Sequence, residues 1–100
     1  MSTSWRTDKR ILVTESHATG SVAAIRSLGA AGYTVIAVSP KADALGFLSR
    51  FASRSLVHPP YHEQTAYLDW LAATVATEGI DLIVPSEAFL LAIRPAFERY

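Results

Sequence analysis

Apolar strand-like runs alternate with helical stretches along this chain, and this alternation constrains the fold more than any other feature. Residues 11–38 contain an apolar run, a polar loop, an amphipathic stretch and a second apolar run. Continuous apolar runs bounded by turn signals are typical of strands buried on both faces. The order therefore predicts a β-α-β unit, in which the loop at residues 14–21 lies at the carboxyl edge of a parallel sheet, where open α/β sheets bind ligands.

The same alternation continues along the rest of the chain. Strands are predicted at residues 10–14, 34–38, 55–58 and 81–84. Helices are predicted at about 19–32 and 63–77, and a final helix follows the turn at residues 85–87. Strands alternating with helices predict an α/β class domain over residues 10–100: a three-layer α/β/α Rossmann-like fold with a parallel sheet of about four strands. Residues 1–9 are polar and lack periodicity, so we expect a disordered N-terminal tail.

Three local features complete the predicted secondary structure. Gly32 and Gly79 suit the left-handed positions that end helices. Residues 41–53 are ambiguous, since they could form a short helix with Arg50 and Arg54 on its exposed side, and we expect one loose turn or two. Pro95 lacks a backbone N–H, so we expect it to kink or restart the final helix, whose apolar stripe includes Phe97.

Composition excludes several classes of function. The 100 residues have a formal net charge of zero, so no overall field attracts nucleic acid. The absence of cysteine excludes disulfides, zinc-thiolate sites and thiol catalysis. No apolar run reaches the roughly 18 residues of a membrane span, and no signal peptide is recognisable. We therefore expect a cytoplasmic protein that binds neither nucleic acid nor membrane.

The loop at residues 14–21 carries hydroxyls, the carboxylate of Glu15, an imidazole and Gly20 just before a helix. Free N–H groups at a helix start favour an anion such as phosphate, but Thr19 or Ser21 could simply cap the helix. Gly20 stands alone where a dinucleotide fingerprint has three glycines. A serine, a proline and a lysine at residues 39–41 stand where a ribose-binding carboxylate is expected, so an NAD site is disfavoured.

The turn after the fourth predicted strand is the second candidate. Glu87 lies where it can face the same crevice as the first loop and bind an amine or a hydroxyl, or it can be a solvated residue of a first helical turn. Ser86 is equally suited to capping that helix. The histidines lack metal-ligand spacing, and His58 and His62 are expected in a surface loop.

Several stretches together resemble the N-terminal domain of ATP-grasp ligases. They are residues 11–14, 27–33, 35–38 and 81–87, and the segments 49–54 and 67–71 also fit. The resemblance covers about residues 9–100 and is strongest to the carboxylate-amine ligase and carbamoyl-phosphate-synthase-like branches. Their members begin with this domain, called the pre-ATP-grasp domain.

The resemblance implies a substrate-positioning role within a larger ATP-dependent ligase that forms a carbon–nitrogen bond from an acyl phosphate. It assigns substrate contacts to seven residues, namely Glu15, Ser16, Thr19, Gly20, Ser21, Ser86 and Glu87. No catalytic residue and no metal ligand is assigned to these 100 residues, and no cofactor is expected in this chain. ATP and magnesium are expected only in the full-length ligase, because its next domain supplies their ligands. The expected partners are that downstream ATP-grasp domain and a small-molecule substrate, with a homodimer as a further expectation.

Two alternatives remain open from the residues. The first is a Rossmann-like nucleotide-binding module for NADP or a sugar nucleotide, in which residues 14–21 hold phosphate and Lys41 holds a 2′-phosphate. The second is a non-catalytic interaction domain, whose loops do no more than cap helices.

Overall fold

The computed structural model describes residues 9–94 and contains four strands, three α-helices and one 3-10 helix within them. In chain order these are β1 (Arg10–Val13), α1 (Thr19–Ala30), β2 (Thr34–Ser39), the 3-10 helix (Leu45–Leu48), β3 (Arg54–Val57), α2 (Gln64–Glu78), β4 (Leu82–Val84) and α3 (Glu87–Ile93). The predicted N-terminal tail, apart from Lys9, and the expectations for Pro95 and Phe97 fall outside the described residues.

The four strands form one parallel sheet in the order β3-β2-β1-β4. The first strand is central, as its apolar sequence predicts, and Leu12 lies beside Ile36 on one side and Ile83 on the other. The α/β class and the four-stranded parallel sheet are thus confirmed, and the arrangement is compatible with a Rossmann-like three-layer fold. The chain moves outward from β1 through β2 to β3 and then returns to place β4 on the other side of β1. The direction of strand addition therefore reverses between β1 and β4.

Apolar side chains fill both faces of the sheet. Along β1, Ile11 and Val13 pack with Ile25 of α1, while Leu12 belongs to a cluster on the opposite face with Trp70 of α2. A further cluster joins α2 and α3 through Tyr67, Leu71, Phe89, Ala92 and Ile93. Since successive strand residues point to opposite faces, a strand covered on both sides must be continuously apolar. This arrangement accounts for the strand-like runs in the sequence.

Close backbone packing holds the 3-10 helix against the first β-α-β unit. The amide of Gly46 donates a hydrogen bond of 2.8 Å to the carbonyl of Ser16. A Cβ at Gly46 would lie 2.5 Å from that oxygen, and a Cβ at Gly29 would lie 2.5 Å from Phe51. Both contacts need glycine, because real Cβ atoms do not approach so closely. The ambiguous segment at residues 41–53 is therefore a defined turn that contains one short helix.

The element ends show where the local predictions hold and fail. Gly79 has a φ of 64° and ends α2 as predicted. The proposed capping of α1 by Thr19 or Ser21 is wrong, because its N-cap residue is Ala18 and no side chain caps it. No helix within residues 9–94 combines the length and apolar character needed to cross a membrane.

Candidate functional site

The loops that follow β1 and β4 lie side by side at the carboxyl edge of the sheet. Thr14 joins them, since its amide and its hydroxyl both donate hydrogen bonds to the carbonyl of Val84, at 3.2 Å and 2.7 Å. Strand order reverses between these two strands, and ligands of open α/β sheets bind in the crevice at such a reversal. The fold therefore places the two loops singled out in the sequence at its preferred ligand position.

A hydrogen-bonded chain runs from Glu15 through His17 to Ser39. The Nε2 atom of His17 lies 2.7 Å from a carboxylate oxygen of Glu15, and its Nδ1 lies 2.8 Å from the Ser39 hydroxyl. The Ser39 oxygen also accepts a hydrogen bond of 3.1 Å from the amide of Lys41. A histidine with its hydrogen on Nε2 satisfies the whole chain, because Nε2 then donates to the carboxylate and Nδ1 accepts from Ser39.

This chain positions the Glu15 carboxylate. Glu15 has a φ of 54°, a left-handed backbone conformation that non-glycine residues adopt rarely and that often marks functional sites. The combination of serine, histidine and carboxylate resembles a hydrolytic triad in residue type, but Ser39 is fully buried and no acyl group can reach its hydroxyl. We therefore interpret His17 and Ser39 as positioning residues.

His58, directly after β3, adds a buried imidazole to the same edge. Its Nδ1 lies 2.8 Å from the carbonyl oxygen of Pro59, and this oxygen can only accept, so Nδ1 carries the hydrogen. Its Nε2 is then a bare acceptor, which is buried and has no hydrogen-bond partner among the described residues. Burial lowers the pKa of His58 below its ordinary value of 6.5. The expected surface position of His58 is wrong, because its side chain is buried in an aromatic cluster with Tyr61, Tyr67 and Trp70.

That cluster places Tyr61 between the two loops. The His58 ring lies 5.1 Å from the Tyr61 ring and 4.9 Å from the Tyr67 ring, centroid to centroid. The Tyr61 hydroxyl is buried without a hydrogen-bond partner among the described residues. Burial raises the pKa of Tyr61 strongly, the Glu15 carboxylate raises it further, and the Ser86 hydroxyl acts in the opposite direction. Tyr61 therefore lies close to Glu15 of the β1 loop and to Ser86 of the β4 turn.

Within the β1 loop, two of the predicted substrate-binding residues support the backbone. The Ser16 hydroxyl is buried and donates to the carbonyl of Val13 at 3.0 Å. The Ser21 hydroxyl donates to the carbonyl of Thr14 at 2.7 Å. Thr19 is exposed in the first turn of α1, and a Cβ at Gly20 would meet no atom within 4 Å. Of the five predicted residues in this loop, Glu15 is the one that joins the hydrogen-bonded chain with His17 and Ser39. Substrate contact by all five stays a prediction.

The two predicted residues of the β4 turn have different environments. The Ser86 oxygen accepts a hydrogen bond of 3.1 Å from the amide of Phe89 and caps α3, as the sequence suggested. Glu87 is exposed in the first turn of that helix. Its role in binding substrate stays a prediction.

Four residues of this edge were not predicted as site residues: His17, Ser39, His58 and Tyr61. The first three lie at or just after the carboxyl ends of three different strands, so the topology rule that selected Glu15 would also have selected them. Tyr61 carried no comparable signal, because its position depends on how the loop after β3 folds across the sheet edge.

Comparisons with protein-family models, curated proteins and solved structures found no match. Within residues 9–94, no three histidine, aspartate or glutamate side chains are grouped to hold a metal ion. The side chain of Glu15 is partly exposed, so its carboxylate is available to a ligand, whereas the Nε2 of His58 and the Tyr61 hydroxyl are buried. The carboxylate accepts hydrogen bonds, so the edge is chemically suited to hydroxyl or amino groups.

Proposed function

We propose that this domain is the N-terminal, substrate-positioning domain of a larger ATP-grasp ligase that forms a carbon–nitrogen bond. The observation that carries the proposal is the meeting of the β1 loop and the β4 turn at the reversal of strand order, where Thr14 donates two hydrogen bonds to the carbonyl of Val84. In the family that the sequence resembles, the corresponding loops face the ATP-grasp domain and bind the substrate that is not a nucleotide.

The proposed reaction divides its chemistry between two domains. A carboxylate oxygen of the substrate attacks the γ-phosphorus of ATP, and ADP leaves as the acyl phosphate forms. The amine then attacks the acyl carbon, loses a proton and expels inorganic phosphate. Phosphoryl transfer needs positive charges and magnesium around the triphosphate, and the proposal assigns these to a downstream domain of the parent protein.

The present domain contributes orientation. Glu15 is held by His17 and Ser39, so its carboxylate can accept hydrogen bonds from a substrate with little loss of side-chain entropy on binding. The same edge also contains the buried imidazole of His58 and the half-buried ring of Tyr61. Correct orientation of two reactants can supply a large part of a rate enhancement.

The proposal also implies partners and a location. Three large apolar side chains on β4 and α3 are exposed, namely Leu82, Leu90 and Leu91. We assign this surface to contact with the downstream ATP-grasp domain, and a homodimer through it stays a second expectation that sedimentation analysis can check. A cytoplasmic ligase has direct access to ATP.

The first test is the reading frame of the parent gene after residue 100. The proposal expects an ATP-grasp domain there, with a phosphate-binding lysine and acidic magnesium ligands. The parent protein should then release ADP from ATP only when a suitable acid and amine are both present. A parent frame without these residues, or ADP release that ignores both substrates, would refute the proposal.

Substitutions in the parent protein then test the site itself. Glu15→Gln should lower substrate-dependent ADP release by about tenfold or more, because a charge-assisted hydrogen bond is worth roughly 1.5–3 kcal/mol. Glu87→Gln should also lower substrate-dependent ADP release, because the proposal assigns a substrate contact to this carboxylate. The matched control is Asp69→Asn, an exposed carboxylate on α2, which should leave turnover unchanged. Thermal unfolding of each variant separates lost function from lost folding.

A further inference from the structure

A second concave surface lies away from the carboxyl-edge site, between α1 and the chain that follows the 3-10 helix. This groove has a volume of about 680 Å³ and opens to solvent. Its lining residues are Val22, Arg26, Leu48, Ser49, Arg50 and Phe51. None of them takes part in the hydrogen-bonded chain or the aromatic cluster described above.

The walls of the groove are fixed by close packing. Gly29 of α1 touches Phe51 so closely that no other residue fits there without a shift. On the other wall, the Ser49 hydroxyl accepts a hydrogen bond of 3.1 Å from the amide of Phe51. The Ser49 carbonyl accepts a further one of 3.2 Å from Ala52. A surface held in this way is largely formed before a partner arrives, which lowers the entropy cost of binding.

The groove combines an exposed apolar side chain with unpaired positive charge. Leu48 is 82% exposed, the highest value among the large apolar residues identified as exposed. Arg26 and Arg50 are exposed and form no ion pair with a described carboxylate. The guanidinium of Arg50 lies 4.9 Å from the centre of the Phe51 ring, within the range of a cation–π interaction.

Charge is distributed unevenly along the chain in a way that favours one sign of partner. The whole chain is formally neutral, but residues 16–62 contain four basic residues and one acidic residue, Asp43. Both segments that line the groove, residues 22–26 and 48–51, contain no acidic residue. The groove lining therefore carries two arginines and no carboxylate, which favours a negatively charged partner.

We propose that this groove is a docking surface for an acidic polypeptide segment that carries an apolar anchor residue. Arginine and aromatic side chains are enriched at protein interfaces, and the arginine fork pairs well with carboxylates. Leu48 and Phe51 offer the apolar contact, while Arg26 and Arg50 pair with the acidic flanks. The groove is open along one side, which suits a peptide segment better than a small molecule that must be enclosed.

An NMR titration of the isotope-labelled full chain tests this docking surface. The probe is the peptide N-acetyl-Glu-Glu-Leu-Phe-Glu-Glu-amide, and its counterpart with lysine in place of every glutamate is the control. The acidic peptide should give saturable shifts at the six lining residues, weakening severalfold as salt rises from about 50 to about 300 mM. The lysine peptide should give none.

Variants locate the contacts. The double substitution Arg26→Gln with Arg50→Gln should weaken binding by about tenfold, since two exposed charge pairs contribute roughly 0.2–1 kcal/mol each. Leu48→Ala should also weaken binding by itself. Because Leu48 is exposed, this substitution should leave the free energy of unfolding unchanged. Arg94→Gln removes an exposed arginine of α3's end and should change nothing. Thermal unfolding of the double variant excludes loss of folding.

Four results would overturn the proposal. These are no saturation at millimolar peptide, shifts that map elsewhere, equal binding of the lysine peptide, and full competition by inorganic phosphate, which would indicate a simple anion site. Concentration-dependent shifts without peptide would instead assign the groove to a second copy of the chain. None of these results bears on the proposed ligase, because Glu15 and the groove are tested by different variants.

Discussion

Replacing Gly29 with alanine should destabilise the domain, although alanine is the better helix former. The added methyl would lie 2.5 Å from both the Cβ and the carbonyl oxygen of Phe51. Overpacking of this kind costs roughly 1–3 kcal/mol, and contact with backbone favours the upper end. The gain in helix propensity offsets about 1 kcal/mol. The expected net loss is about 2 kcal/mol of unfolding free energy, or about 8–16 °C in melting temperature for a domain of this size.

The control for this change lies on the same helix. A Cβ at Gly20 would meet nothing within 4 Å, so Gly20→Ala should gain roughly 0.5 kcal/mol from propensity alone. Urea unfolding followed by far-UV circular dichroism measures both variants. If Gly29→Ala proves as stable as the original chain while Gly20→Ala is stabilised, the packing of residue 51 on α1 is refuted. The groove walls would then not be fixed as described.

Three further predictions concern the carboxyl edge. Burial lowers the pKa of His58, so the unfolded chain binds a proton more readily and the free energy of unfolding falls as pH drops below 6.5. His58→Gln should reduce this loss of stability at low pH, whereas the exposed control His62→Gln should not. Tyr61→Phe removes a buried hydroxyl that has no hydrogen-bond partner within residues 9–94 and should raise the unfolding free energy by about 1 kcal/mol. A loss of about the same size would show that the hydroxyl is hydrogen-bonded. Ser86→Ala removes the cap on the amide of Phe89 and should cost about 1 kcal/mol in urea unfolding, with Ser86→Asp retaining the cap.

The features of the fold that depend on local sequence pattern are the ones that the sequence predicts correctly. The apolar runs predict the strands because a strand covered on both faces must be apolar at every position, as in β2. Gly79 predicts the end of α2 because its left-handed φ favours glycine. The central place of β1 follows from its uninterrupted apolar run.

The remaining features depend on contacts between distant segments, which a local pattern does not encode. Ser21 is a good capping residue by type, but its hydroxyl bonds to Thr14, seven residues earlier, once the loop folds back on the strand. His58 was expected at the surface because prolines follow it, yet tertiary packing with Tyr61 and Tyr67 buries it. The pairing of His17 with Ser39 likewise needs β1 and β2 side by side in register.

The route of one oxygen atom tests the proposed ligase most directly. The acid substrate of the parent protein is labelled with heavy oxygen in its carboxylate, and the released inorganic phosphate is analysed by mass spectrometry. Activation as an acyl phosphate predicts that one labelled oxygen per turnover passes into the phosphate, at a rate that Glu15→Gln lowers together with product formation. Unlabelled phosphate, or release of pyrophosphate and AMP in its place, would contradict the assignment of this domain to an ATP-grasp ligase.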